Sequence, residues 1–203
     1  MVFRNRFAEA LTSLLIVFRR FAFLIVSPYK TLRRISLEED ALQVGIIFLL
    51  VFLYFQFAHK LRAFFYPPYI IFIFFVINFF FTVLFFYFLS QPAKKNISLK
   101  SLVFTLSYSL FPTLLWFIVS SLFYYFLPPP RSASLLGKAF SIFFIAFSVS
   151  VLAWKIILFY LSVRFSTRLQ FYAVIYLILL YLCILIPYAL LLYYFKIFRV
   201  PFI

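Results

Sequence analysis

Apolar residues run through this chain in blocks of about twenty, separated by short polar or proline-bearing breaks, and that spacing predicts membrane-crossing helices. Five blocks are long enough to span: about 41–58, 69–89, 100–127, 137–160 and 170–195. Pro67 and Pro68 introduce the second, and the turn PPPRSAS precedes the fourth. The stretch before them reads differently. From about Phe3 to Val26, Phe7, Leu11, Leu14, Phe18, Phe21 and Ile25 recur in steps of three and four, with Arg6, Ser13 and Arg20 on another side. That is the pattern of an amphipathic helix lying in the membrane surface. A short extra span over Ala8–Val26 competes with it, but Arg19 and Arg20 would be costly at mid-bilayer. The same pair interrupts any signal-peptide core, and no small-residue cleavage site follows. Pro28 ends this helix and Ser27 can cap a short turn.

The expected architecture is therefore all-α: five transmembrane helices preceded by an N-terminal interfacial helix. Its divisions are a basic N-terminal segment, 1–36, and a five-span bundle, 37–203.

Composition narrows the class. Apolar residues make up 67% and charged residues 11% of the chain, too little charge to clothe a soluble domain of this size. The net charge of +15 comes from 19 Lys and Arg against four acids. Because these cations flank apolar blocks, they point to anionic headgroups, with Arg6, Arg19, Arg20, Lys30, Arg33 and Arg34 as the expected contacts. Nucleic acid is not an expected partner. Thirteen of the cations precede the first block or fall near Lys94 and Lys155–Arg168, and six fall on the opposite side. The positive-inside rule then places the N-terminus in the cytoplasm and the C-terminus outside.

Within the third block, Ser101, Thr105, Ser109 and Thr113 recur every fourth residue, with Tyr108 and Pro112 beside them. Small hydroxylated residues let helices approach closely in lipid, so this block is expected to be the central packing helix. With two glycines in the chain, Gly45 and Gly137, and no GxxxG pair, packing must rely on Ala, Ser, Thr and interlocked Phe. Pro112 and Pro187 should kink their helices or free a carbonyl. No internal repeat supports an inverted-repeat transporter.

Chemistry is sparse. No Asp or Glu lies in any span, so no intramembrane carboxylate pair exists for acid–base work. Glu38, Glu39 and Asp40 precede the first span, where a helix dipole favours them, and Ser36 and Glu39 have capping-box spacing. Thr167 and Gln170 have the same spacing before the fifth span. His59, beside Lys60, reads as a headgroup-level residue. Cys183 is the only cysteine and forms no metal-ligand pattern. Neither a cofactor nor a metal is expected, and the chain is not expected to be an enzyme. Asn78, Thr82 and Gln56 read as interhelical glue. Lys155, on a flank with Ser141 and Ser148, stands four or five residues from the expected end of span four. From there its stem can snorkel to headgroups.

The segments SPYKTLRRI (27–35) and SLKSLVFTLSYSLFPTLLW (98–116), with five spans and little outside them, resemble the Ypt-interacting-protein (Yip) family, particularly its prokaryotic branch. Tyr108, Ser109 and Pro112 match that family's motif at the start of its third span. The resemblance implies a polytopic protein of a prokaryotic plasma membrane without an assigned reaction. Eukaryotic members are implied to bind prenylated Rab/Ypt GTPases. This chain departs from them in lacking a long polar N-terminal region and in carrying Ser107 where a glycine is often found. The expected role is a non-enzymatic scaffold with protein partners or a homo-oligomer. The alternative is a small transporter or channel subunit whose polar path runs through spans two to four, its solute unspecified.

Overall fold

The computed structural model describes the backbone of residues 2–38, 40–61, 66–92, 97–126 and 135–195, and their side chains apart from residues 2–8 and 136. Eight helices follow one another: α1 Val2–Val26, α2 Pro28–Ile35, α3 Ala41–Leu61, α4 Pro68–Ser90, α5 Leu99–Tyr108, α6 Phe111–Phe126, α7 Leu135–Thr167 and α8 Phe171–Tyr194. Five segments are long and apolar enough to cross a bilayer: α3, α4, α5 with α6, α7 from Gly137, and α8. All are helical, as their block lengths predict. The chain is an all-α, multi-pass membrane protein.

Burial ranks the spans. The α5–α6 segment is 61% buried across its apolar window, whereas the other four are 11–33% buried. Its hydroxylated ridge faces inward throughout: Ser101, Thr105, Ser109 and Thr113 are all buried, as is Tyr108. The other spans turn one narrow stripe inward. In α4 that stripe is Ile71, Phe75, Phe79, Val83, Phe86 and Ser90, recurring in threes and fours. Ile73, Ile77, Phe81 and Leu84 point outward, where lipid is the natural solvent.

The third span is not one helix. Pro112 has no N–H to bond the Tyr108 carbonyl, and its ring would collide with that carbonyl in a continuous helix. The chain responds one turn upstream. Leu110 N donates to Ser107 O at 3.2 Å, a tightened turn, and the regular bond resumes with Leu114 N to Leu110 O at 3.0 Å. In α8, by contrast, the helix passes through Pro187.

The fourth span is longer than its pattern predicts. Instead of ending near Tyr160, α7 continues to Thr167, and this last stretch is held against α5 by Ser162 Oγ on Thr105 O and Ser166 Oγ on Ser101 O. At 33 residues it is about 50 Å long, well beyond the ~30 Å hydrocarbon core. Arg168 stops it in a left-handed conformation, φ 53°, with its N–H on Arg164 O at 2.8 Å.

Neither expected capping box is present among the described residues. Ser36 is the C-cap of α2, with its hydroxyl on Arg33 O, and Glu39 lies outside the described residues. It is Asp40 that caps α3, accepting Leu42 N at 3.0 Å. Thr167 ends α7 rather than opening α8, and Gln170, the α8 N-cap, makes no side-chain cap bond.

The two N-terminal helices share one core with the bundle. Val17, Phe21 and Leu24 of α1 and Leu32 and Ile35 of α2 pack with Ile47, Phe104, Tyr108, Leu158 and Leu161. The expected facing of α1 is also revised. Leu11, Phe18 and Ile25 point outward, while Ser13, Val17, Phe21 and Leu24 point into the protein.

Candidate functional site

The polar residues of α1 do not look outward to water; they meet the start of α3. The Arg20 guanidinium donates through Nη1 to Gln43 Oε1 at 2.7 Å and through Nη2 to Glu38 Oε2. Gln43 Nε2 donates to Asp40 Oδ2 at 2.8 Å, and Ser13 Oγ lies 3.5 Å from the same oxygen. From the bundle side, the Tyr108 hydroxyl donates to Gln43 Oε1 at 2.5 Å. Gln43 thus ties α1, the α2–α3 connection and α5 together with both ends of its amide.

Aromatic faces close the site. The guanidinium carbon of Arg20 lies 5.7 Å from the Tyr108 ring centroid and 5.8 Å from that of Phe104. The Tyr108 ring meets Phe21 and Phe104 edge-on, and Phe21 stacks on Phe111 at 4.3 Å. Such contacts add to the attraction of the charged hydrogen bonds.

Electrostatics keep Arg20 charged. Burial pulls its pKa down, but the hydrogen bond to Glu38, the neighbouring Tyr108 hydroxyl and the Glu38 charge together outweigh burial, and the net shift is upward. The Arg20 side chain is only 13% exposed, against 37% for Glu38, whose other oxygen lies 3.5 Å from Arg34 Nε. Glu38 therefore pairs on two sides, one inward and one at the surface.

Below this knot, α5 and α7 are laced by hydroxyls. Thr105 Oγ1 and Ser166 Oγ are 2.5 Å apart, Ser162 Oγ donates to Thr105 O at 3.1 Å, and Ser166 Oγ donates to Ser101 O at 3.3 Å. Ser101 Oγ in turn donates to Ser36 O at 2.9 Å, fastening the end of α2. Ser109 bonds back to Leu106 O. The buried Thr113 hydroxyl has no partner among the described residues.

The remaining sequence-predicted residues fall elsewhere. Asn78 and Thr82 join α4 to α8: Tyr188 donates to Asn78 Oδ1 at 2.6 Å, and Thr82 Oγ1 lies 2.7 Å from the Tyr181 hydroxyl. Their bonds run to α8, whereas Ser101 and Thr105 of the ridge bond to α2 and α7. Gln56 is half-buried on α3. Lys155 stands more than three turns inside the end of α7, about 18 Å by helix rise. His59 and Cys183 are exposed, and among the described residues no three His, Cys, Asp or Glu gather as for a metal.

Arg20 departs from the headgroup contact expected of it, because its fork is consumed by Glu38 and Gln43. Arg19, Lys30, Arg33 and Arg34 do face outward. Arg6, Arg62, Lys94, Lys95, Arg131, Lys196 and Arg199 lie outside the described residues or side chains, as does the PPPRSAS turn.

Gln43, Ser162, Ser166, Tyr181 and Tyr188 were not singled out from the sequence. Gln43 left a trace: a polar residue in the first turn of an apolar span, three after Asp40. Ser162 and Ser166, one turn apart, were hidden by drawing span four to stop at Tyr160.

Set against models of known protein families, curated proteins and solved structures, the chain matches none. Of the residues in the 98–116 segment, Tyr108 is the one that meets Gln43 and Arg20.

Proposed function

We propose that the chain is a non-enzymatic multi-pass scaffold of Yip type, which presents its N-terminal helices to partners as a fixed, basic platform at one end of the bundle. The observation that carries this reading is the Arg20–Gln43–Tyr108 knot. It occupies the carboxylates of Glu38 and Asp40 with Arg20 and Gln43 while Lys30, Arg33 and Arg34 stay outside. The carboxylates spend their hydrogen bonds on Arg20, Gln43, Ser13 and the Leu42 N–H, which leaves them structural work rather than proton transfer. Holding these two helices rigidly is worthwhile where their outer face must be recognised. The cytoplasm is the side assigned to this platform, in keeping with its cations.

Nothing favours the transporter alternative, since Asn78 and Thr82 bond to α8 while the α5 ridge bonds to α7 and α2. The test has two arms. A photo-crosslinker at Arg33 in native membranes should capture a discrete protein, and adding Lys30→Glu with Arg34→Glu should abolish the capture. Purified protein in vesicles should pass no solute beyond the leak of empty vesicles. Flux that disappears in Lys155→Met would overturn the scaffold.

A further inference from the structure

An open groove of about 400 Å³ runs along the outer side of α2, lined by Tyr29, Lys30, Arg33, Arg34 and Leu37. We infer that this groove is a binding site for a phosphomonoester lipid headgroup, of the phosphatidate kind. The inference deepens the platform reading above and rests on it.

Sequence fixes the geometry first. With Leu32 and Ile35 buried against the bundle, the eight residues of α2 have to turn Lys30, Arg33 and Arg34 outward. Lys30 and Arg33 make no ion pair among the described residues, and Arg34 only approaches Glu38, at 3.5 Å. Three cations thus share one groove with one carboxylate that Arg20 already holds. The balance favours a ligand with nearly two negative charges. A phosphomonoester carries about −1.5 to −2 near neutral pH, whereas the phosphodiester of common lipids carries one.

Two further features select a lipid over a free anion. Tyr29 and Leu37 are 48% and 70% exposed in the same groove, apolar surface that a soluble phosphate cannot use but a glycerol backbone and acyl carbons can. Placement agrees with this. The Tyr29 ring meets Phe165 edge-on at 5.0 Å, tying the groove to the end of α7, and Ser101 Oγ bonds Ser36 O at the start of α5. The groove therefore opens where spans begin and end, at headgroup depth.

The test is native mass spectrometry of the full chain in detergent. It would be titrated with short-chain phosphatidate, phosphatidylglycerol or phosphatidylcholine, with inorganic phosphate as competitor. Phosphatidate should bind most tightly. Lys30→Gln with Arg33→Gln should weaken it by about tenfold or more, while Lys138→Gln leaves it unchanged. Inorganic phosphate at the same concentration should not displace it. Equal binding of phosphatidylcholine, unaltered phosphatidate binding in the double variant, or displacement by inorganic phosphate would each overturn the site. The exposed positions leave the fold intact, checked by an unchanged melting temperature. Partner capture at Arg33 without phosphatidate preference would sink the lipid site alone; Lys155-dependent flux would sink the scaffold alone.

Discussion

Replacing Arg20 by Met leaves Gln43 and Glu38 without their shared donor while keeping most of the packing against Phe104 and Tyr108. Hydrogen bonds to charged groups are worth about 1.5–3 kcal/mol, and the 37% exposure of Glu38 argues for the lower half of that range. The expected loss is about 2 kcal/mol, read as a lower unfolding midpoint in mild detergent. Its pH dependence follows from sign. The folded-state pKa of Arg20 is raised, so its contribution is complete below the unfolded value and is lost only as pH climbs through the folded one. The unfolded value is the ordinary arginine one and the folded value lies above it, both well above pH 9, so the wild-type advantage over Arg20→Met should stay level between about pH 7 and pH 9. Tyr108→Phe removes one bond and no packing; about 0.5–1.5 kcal/mol is expected, with Arg20 still holding Gln43. The sequence made Tyr108 and the four-residue Ser/Thr ridge legible, because period alone places them on one side of a buried helix. It could not reveal which way Arg20 turns. A stripe of Leu11, Phe18 and Ile25 opposite a polar side reads as a helix resting on water. Here lipid is the natural neighbour of that apolar stripe, and the polar side seeks partners inside the protein.

Helix boundaries show the same division. Block length and hydropathy located five spans to within a few residues at most ends, since twenty apolar residues admit little else in a bilayer. The ends that moved were set by hydrogen bonds that hydropathy does not register: Ser162 and Ser166 bond the last turns of α7 across to α5, and Asp40 rather than Ser36 starts α3. Pro112 was legible as a perturbation, and the break it causes falls at Ser109–Leu110. Pro112→Ala restores a donor for the Tyr108 carbonyl. Amide exchange of residues 109–112 should then slow, measured by hydrogen–deuterium exchange, while an unchanged rate would mean packing alone sets the break. Arg168 holds a left-handed φ of 53° that costs a side-chain-bearing residue about 1–2 kcal/mol. Glycine there relieves that cost but adds unfolded-state freedom, so Arg168→Gly should raise stability by about 0.5–1 kcal/mol.

At the scale of the molecule, the account makes the N-terminal helices part of the bundle rather than an arm laid beside it. They share a core with α3, α5 and α7, and the charged knot sits at the junction. Five crossings also force a sidedness. The starts of α3 and α5 and the end of α7 belong to one face, with Arg33 and Arg168, while His59 and Lys138 belong to the other. Impermeant thiol labelling tests this most directly, with single cysteines at 33, 59, 138 and 168 in a Cys183→Ser background, applied to intact cells and to inverted vesicles. Positions 33 and 168 should label only from the cytoplasmic side and positions 59 and 138 only from the opposite side. Labelling of 33 and 59 from the same side would contradict the five-span bundle.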